Sequence, residues 1–385
     1  MNKTKILLVN KNLIAGGIET SLISFIEAMK DYADIDVMLF NNSGILKDRM
    51  PQDIQVYEGG KILRSLNRVC QGSGSQNAGK NKFNLKKSII KVFKFLGGRK
   101  ILSAFALVGQ KIKKKYDIVF CYNGLDELSV KFALKCVNAK KKFNYIHSDV
   151  SQYDINKRQL KRFGKFDKLL CVSKSCAEIF KKKYPELSSK VDYLYNFQDV
   201  TKIKNRAEEF NIEYPNEFNI VSVSRLSKEK AYLRSLKVFL KLHNAGHNFH
   251  WHIVGDGDER LAIEEYIKLN QMDKYVTLYG NQKNPYPYIK SADILYLGSY
   301  HEAAPMVYSE SMILDVPVIT TRTSSSDELV GENGFVCNNS EDGIYSAFEE
   351  ILSNTNVVKA KMDNGVINNS QISSKFINLI KDVNE

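Results

Sequence analysis

The sequence has no run approaching the roughly 18 uninterrupted apolar residues that a transmembrane helix requires. Its first residues, MNKTKILLVNKN, are too short and too polar an opening for a secretory signal. The expected location is therefore the cytoplasm. Six cysteines, at positions 70, 121, 136, 171, 176 and 337, form no CxxC pair, and four of them lie in apolar runs that read as strands or helices. That usage argues against a zinc ribbon or a disulfide framework and predicts reduced, mostly buried thiols. GxSxG, the Walker A loop, HExxH and GxGxxG are all missing, which removes the commonest hydrolase, NTPase and dinucleotide-binding readings. No repeat at a solenoid period is visible.

Acidic residues are missing from one long region. Residues 59–116 hold 15 basic side chains and no acid, while the whole 385-residue chain carries a net charge of +13. Residues 1–200 sum to +19 and residues 201–385 to −6, so the two halves differ in kind. A block of this sort attracts anionic partners, with membrane surfaces and nucleic acid the obvious classes. Within it QGSGSQNAGKN (71–81) reads as a mobile loop, and Leu85, Ile89, Val92, Phe93 and Leu96 then recur at helical spacing among lysines. A basic amphipathic helix of that pattern suits an anionic bilayer, although it equally suits a core helix with a solvated basic face. No aromatic-interleaved basic platform accompanies the lysines, which disfavours nucleic acid.

The length suggests two domains of about 150–200 residues each. Strands are expected at 5–10, 36–40, 54–59, 117–123, 143–148, 168–173 and 191–196, with a helix over Ile18–Met29. From about 197 to 217 the strand pattern lapses into a charged segment ending in EYPNEF, which reads as the linker. Alternation resumes with strands at 218–225, 250–257, 276–280, 294–299, 317–321 and 334–337, and with helices from Tyr232 to Asn244 and from Glu259. Two successive parallel α/β halves follow from this order, 1–200 and 201–370, and residues 371–385 add a helical tail expected to pack back on the first domain.

The stretch SYHEAAPMVYSESMILDVPVITT carries two glutamates, Glu302 and Glu310, eight residues apart. Pro305 marks a helix start and Pro317 the approach to the next strand. On a helix from Pro305 to Leu314, Glu310 falls inside the apolar arc made by Met306, Val307, Ile313 and Leu314. A carboxylate there needs a hydrogen-bonding partner, either in the protein or in a ligand. Glu302 lies at a strand-to-helix edge, where open parallel sheets bind ligands. A solvated loop residue at 302 and a paired structural acid at 310 fit the spacing equally well.

Other constellations are weaker singly. Gly16 and Gly17 follow the first strand and precede a helix, an arrangement open to phosphate. Arg225 and Lys230 bracket the turn after the second half's first strand and suit a pyrophosphate, or are surface cations. His147 at a strand end, with Asp149 two residues on, suits hydrogen bonding or proton transfer, or is structural. His243, His247, His250 and His252 look metallic, but Gly246 should end the helix and separate the first pair, so no metal site is expected. Asp258 is expected to cap the helix that follows it, and with Asp256 it offers a second way to hold a metal nucleotide.

Taken in order, GGIE (16–19), His147, NFQD (196–199), RLSKEK (225–230), VGDGD (254–258), LYGN (278–281), Ser299 with Glu302 and Glu310, and NG (333–334) resemble the retaining glycosyltransferases of family 4, which have the GT-B fold. The resemblance spans nearly the whole chain. It implies two facing Rossmann-like domains, with a nucleotide-sugar held mainly by the second and the acceptor mainly by the first. It also implies that Arg225 and Lys230 bind the donor diphosphate, that Glu310 accepts hydrogen bonds from the ribose hydroxyls, and that Glu302 lies by the transferred sugar. Gly16 and Gly17 would approach the phosphate, and His147 would contact the sugar or reacting phosphate. Three positions depart from the family, which has glycine where this chain has Ser224, Ala231 and Ala303.

The implied activity is metal-independent transfer of a sugar from a nucleotide-diphosphate-sugar, which is a substrate rather than a cofactor. The acceptor would be a lipid-linked or otherwise anionic glycan for cell-surface polysaccharide, and residues 59–116 would hold the chain on the inner face of the cell membrane. A nucleotide-sugar epimerase on the same fold and a catalytically silent binding protein are the alternatives.

Overall fold

The computed structural model describes residues 3–14, 16–44, 46–64, 107–152, 154–214, 218–359 and 369–381. The loop expected at 71–81 and the amphipathic stretch around 85–96 lie outside the described residues, as does Cys70. The other five cysteines are free and buried.

The first sheet is built from β1 (Thr4–Asn10), β2 (Ala33–Leu39), β3 (Gln55–Glu58), β4 (Ile112–Cys121), β5 (Val137–Ile146), β6 (Lys168–Cys171) and β7 (Val191–Tyr193). Its order is β3-β2-β1-β4-β5-β6-β7, all parallel. Such strands are buried on both faces, which is why they read as continuous runs such as ILLV and IVFC. The basic block runs directly into β4. Residues that read as part of the lysine-rich region thus start a strand, where Lys114 pairs with the buried Asp36 at 2.7 Å and Tyr116 donates to the same carboxylate at 2.6 Å.

Helix α1 (Gly17–Met29) follows β1, and α2 (Lys174–Lys183) follows β6. The segment that reads as a linker contains a further helix, α3 (Val200–Ala207). Ile203 and Ala207, one turn apart, are buried against the second domain's core, and packing rather than a long apolar pattern makes this charged segment helical.

The second sheet holds β8 (Phe218–Val223), β9 (Phe249–Val254), β10 (Val276–Gly280), β11 (Ile294–Leu297), β12 (Val318–Thr321) and β13 (Gly334–Cys337), also parallel, in the order β10-β9-β8-β11-β12-β13. Helix α4 (Tyr232–Asn244) follows β8, and α5 (Met306–Ile313) follows β11. Both sheets reverse their winding direction beside their first strand, at β1 and at β8, and ligands bind α/β sheets at that switch. The chain closes with α6 (Asn369–Lys381), which returns to the first domain. Phe376 is fully buried there, 4.8 Å from Phe25 edge-on and stacked on Phe120, and Lys375 pairs with Asp192 at 2.9 Å.

Candidate functional site

Between the domains lies a cleft of about 560 Å³, and Gly16, Gly17, His147, Arg225, Lys230, Glu302 and Glu310 all line it. Residues up to 294 positions apart in sequence thus face one space.

From the first domain comes the start of α1. Its N-cap, Gly16, has extended backbone and no side-chain cap. Gly17 faces the other domain closely enough that a Cβ there would sit 3.8 Å from Met306 Cγ. The first turn of α1 and the first turn of α5 therefore meet across the cleft, and each presents uncapped N–H groups and the positive end of a helix dipole. Glu19, in the first turn of α1, has its carboxyl raised to about 7; burial is the main cause, opposed by its own backbone N–H and by the charges of Arg225 and Lys11.

His147 stands on the continuation of β5 with its ring against Tyr145 (4.2 Å) and Tyr122 (5.0 Å). Burial lowers its pKa to about 3, so the imidazole is neutral at physiological pH, and its buried Nε2 has no hydrogen-bond partner within the protein. This geometry suits a neutral hydrogen-bonding group better than a proton carrier. Asp149 is not its partner; that carboxylate accepts from Ser151 N at 2.8 Å and from the Ser324 hydroxyl of the second domain.

In the second domain Lys230 and Glu302 form an ion pair at 2.5 Å, with side chains only 15% and 10% exposed. Ser299 Oγ donates to the same Glu302 oxygen at 2.6 Å. Arg225 is different: its side chain is 70% exposed and only loosely paired with Glu229 at 3.5 Å. Glu310 is buried, as the apolar arc requires, and α5 is buried on nearly every face because it is wedged between the domains. Tyr286 Oη donates to Glu310 Oε1 at 3.2 Å. Burial raises the Glu310 pKa to about 7, against the pull of Tyr286, Arg49 and Arg206.

The three positions that depart from glycine are accommodated in different ways. Ala231 adopts a left-handed conformation (φ 55°, ψ 36°), which explains why glycine suits the site and shows that alanine is held there under strain. The Ser224 hydroxyl turns to Tyr232 Oη at 2.7 Å. Ala303 is buried in the core cluster of the first domain. Beside Ser224, Gly255 (φ +146°) is required, since a Cβ would lie 1.9 Å from the Ser224 carbonyl oxygen.

Two expectations need correction or extension. Asp258 does not cap the helix Arg260–Leu269; Glu259 occupies the N-cap without a side-chain bond, and Asp256 instead accepts from Gly257 N at 2.8 Å. Arg49 and Arg206, absent from any motif, both donate to the Lys283 carbonyl, at 2.5 and 2.9 Å, and flank Glu310. Arg49 does so from the first domain. The sequence carries no signal for these arginines, because single cations in loops and linkers are ordinary. The clustered histidines are used in packing: His250 bonds Thr277 at 2.8 Å, His252 lies between Asn219 and Tyr279, and His243 stacks on Tyr275.

Residues 204–371 match the family described as glycosyl transferases group 1. Similar curated proteins include an N-acetylgalactosamine-N,N'-diacetylbacillosaminyl-diphospho-undecaprenol 4-alpha-N-acetylgalactosaminyltransferase of Campylobacter jejuni, 28% identical over 51% of this chain and 54% of that protein. A capsular polysaccharide biosynthesis glycosyltransferase, CapM, of Staphylococcus aureus is 27% identical over 34% of this chain and 35% of that one. The chain spans about a third to a half of the length of the curated relatives it matches. Among solved structures, Anabaena Alr3699/HepE in complex with UDP has the same fold, with a TM-score of 0.64 at 15% identity over 98% of this chain and 100% of that one. Residues 204–371 thus match the group 1 glycosyl transferases and make up most of the second half of a two-domain GT-B fold.

Proposed function

We propose that the chain is a retaining glycosyltransferase of family 4 that moves a sugar from a nucleotide-diphosphate-sugar to a lipid-linked or anionic glycan acceptor in cell-surface polysaccharide synthesis. One observation carries the proposal. Arg225, Lys230, the starts of α1 and α5 and the buried Glu310 all face the same interdomain cleft.

Breaking a sugar–phosphate bond builds negative charge on the diphosphate and positive charge on the sugar. Arg225, Lys230 and two helix N-termini are positive groups at the place where the leaving group would sit, and they would lower the barrier by stabilising its charge. Glu310 would take the ribose hydroxyls. Glu302 is engaged by Lys230 and Ser299, so it serves better to hold Lys230 and stabilise positive charge on the sugar than as a free nucleophile. The leaving phosphate is then the base that takes the acceptor's proton, and attack on the face it leaves retains the anomeric configuration. Neutral His147, with Nε2 unpartnered, would accept or donate one hydrogen bond to the sugar or phosphate.

The Campylobacter relative is named for a diphospho-undecaprenol substrate and the Staphylococcus relative for capsular polysaccharide. Those names support a lipid-linked or anionic acceptor, and the acid-free block 59–116 supports peripheral attachment at the inner face of an anionic membrane. The test is a screen of nucleotide-sugars with and without a lipid-diphosphate acceptor, following nucleotide-diphosphate release. Acceptor-dependent release that Lys230→Ala and Glu310→Ala abolish in folded protein is expected. Full turnover in both variants would refute the site. Rearranged sugar without acceptor would show an epimerase, and no nucleotide affinity a silent binding protein.

A further inference from the structure

Behind the cleft one carboxylate gathers four hydrogen bonds across the domain boundary. Glu328 belongs to the short helix Ser326–Leu329 of the second domain, yet every hydrogen bond it accepts comes from the first. Its Oε1 accepts from Lys174 N at 2.8 Å and from Tyr195 Oη at 2.5 Å. Its Oε2 accepts from Ser175 N at 2.6 Å and from the Ser175 hydroxyl. Lys174 and Ser175 are the first two residues of α2, so two of the orphan N–H groups of that helix, and the positive end of its dipole, meet a carboxylate of the other domain, while Cys176 N–H donates to the N-cap Ser173. Burial opposes the Glu328 charge, but the bonds from Ser175, Tyr195 and the two backbone N–H groups outweigh it and hold the carboxyl below its usual range.

The same junction reaches the cleft. One residue further along α2, Cys176 Sγ lies 3.6 Å from the Ala303 carbonyl, which also accepts from Ser325 Oγ at 2.5 Å. Ala303 directly follows Glu302, the partner of Lys230. Taking the proposed transfer reaction as the activity, we infer that Glu328 is a positioning residue: by seating α2 on the second domain it fixes the Ala303 peptide and sets the Glu302–Lys230 pair in register with the first domain's half of the cleft. The charged side chains assigned to the donor, Arg225, Lys230 and Glu310, belong to the second domain, so this register matters for transfer more than for donor affinity.

Two measurements decide it. In kinetics, Glu328→Ala should lower kcat at least tenfold while the donor dissociation constant, from calorimetry, stays within twofold; Tyr195→Phe, which removes one donor and leaves the fold intact, should lower kcat about threefold. Glu328→Gln, which keeps an acceptor but no charge, should fall between wild type and Glu328→Ala. Independently of any turnover, small-angle scattering should show a larger radius of gyration for Glu328→Ala, and amide exchange at residues 174–175 should quicken. If the wild type transfers no sugar, the proposed function fails and the scattering and exchange still judge the junction. Unchanged scattering and exchange, or a kcat equal to wild type in both Glu328→Ala and Tyr195→Phe, would overturn the inference, and so would donor affinity falling in step with kcat.

Discussion

Replacing Glu310 by glutamine should stabilise the unliganded protein above neutral pH while weakening its hold on nucleotide. The side chain is 7% exposed, and its pKa is raised from 4.5 to about 7, first by burial. Between those values the folded state keeps a proton that the unfolded state releases. Stability therefore falls as pH rises from about 4.5 to 7 and is flat above that window. At 1.36 kcal/mol per pKa unit, the ionised carboxylate costs ~3 kcal/mol at pH 8. Glutamine never ionises and still offers an oxygen to Tyr286. Glu310→Gln should thus melt roughly 6–12 °C higher than wild type at pH 8, if the second domain melts as a unit of ordinary size, and about the same at pH 4.5. Saturating nucleotide should shrink or cancel that advantage. Hydrogen bonds to a charged acceptor are worth about 1.5–3 kcal/mol, so the variant should lose on the order of 10- to 150-fold in nucleotide affinity. Paired melting curves across pH 4.5–8.5, with calorimetry of nucleotide binding at pH 8, test both halves. A variant less stable than wild type at pH 8, or a difference that does not change with pH, would refute the reasoning about burial. Unchanged affinity would refute the assignment of Glu310 to the nucleotide.

Three further outcomes are expected. Lys230→Met strands the largely buried Glu302 and should cost about 3 kcal/mol in denaturant unfolding. Adding Glu302→Gln should return most of that stability without returning sugar transfer, which separates the structural share of the pair from the chemical one. Ala231→Gly relieves the left-handed alanine, a strain of about 1–2 kcal/mol set against the greater backbone entropy of glycine when unfolded, and should raise stability by about 0.5–1 kcal/mol by the same measurement. Deleting residues 82–100 should abolish salt-sensitive sedimentation with anionic vesicles; unchanged binding would refute the membrane role of the basic block.

The fold was legible because parallel strands advertise themselves. ILLV, IVFC, IVSV and ILYL are buried on both faces, and the chemistry of each switch point follows its strand within a few residues. Gly16 and Gly17 stand after β1 as Arg225 stands after β8, and local sequence is enough to place them at the switch points. The need of Glu310 for a partner was also legible, since a carboxylate on an apolar arc is a contradiction visible in sequence. Who answers that need was not. Tyr286 is 24 positions away, and Arg49 comes from the other domain. The helix Val200–Ala207 escaped for a similar reason: its two buried side chains carry too little pattern to stand out from a charged segment. The four bonds to Glu328 escaped altogether, because a glutamate in a short helix looks solvated until another domain's helix start is placed upon it.

These placements also divide the work between the two cations that sequence alone treats as a pair. Lys230 is held at 2.5 Å by a glutamate that Ser299 in turn orients. Its position is fixed by the left-handed Ala231 behind it and by the Ala303 peptide ahead of Glu302. Arg225 is held less tightly: it is mostly exposed, and its pairing with Glu229 is long, at 3.5 Å. In the proposed reaction an approaching diphosphate would meet the exposed guanidinium first, and that encounter would add attraction at little desolvation cost. Drawing Lys230 from Glu302 to the phosphate comes later, and it gains most when charge on the leaving oxygens is greatest. Under the proposed function Arg225 would contribute chiefly to capture of the donor and Lys230 to the bond-breaking step, a distinction set by burial and pairing rather than by residue type.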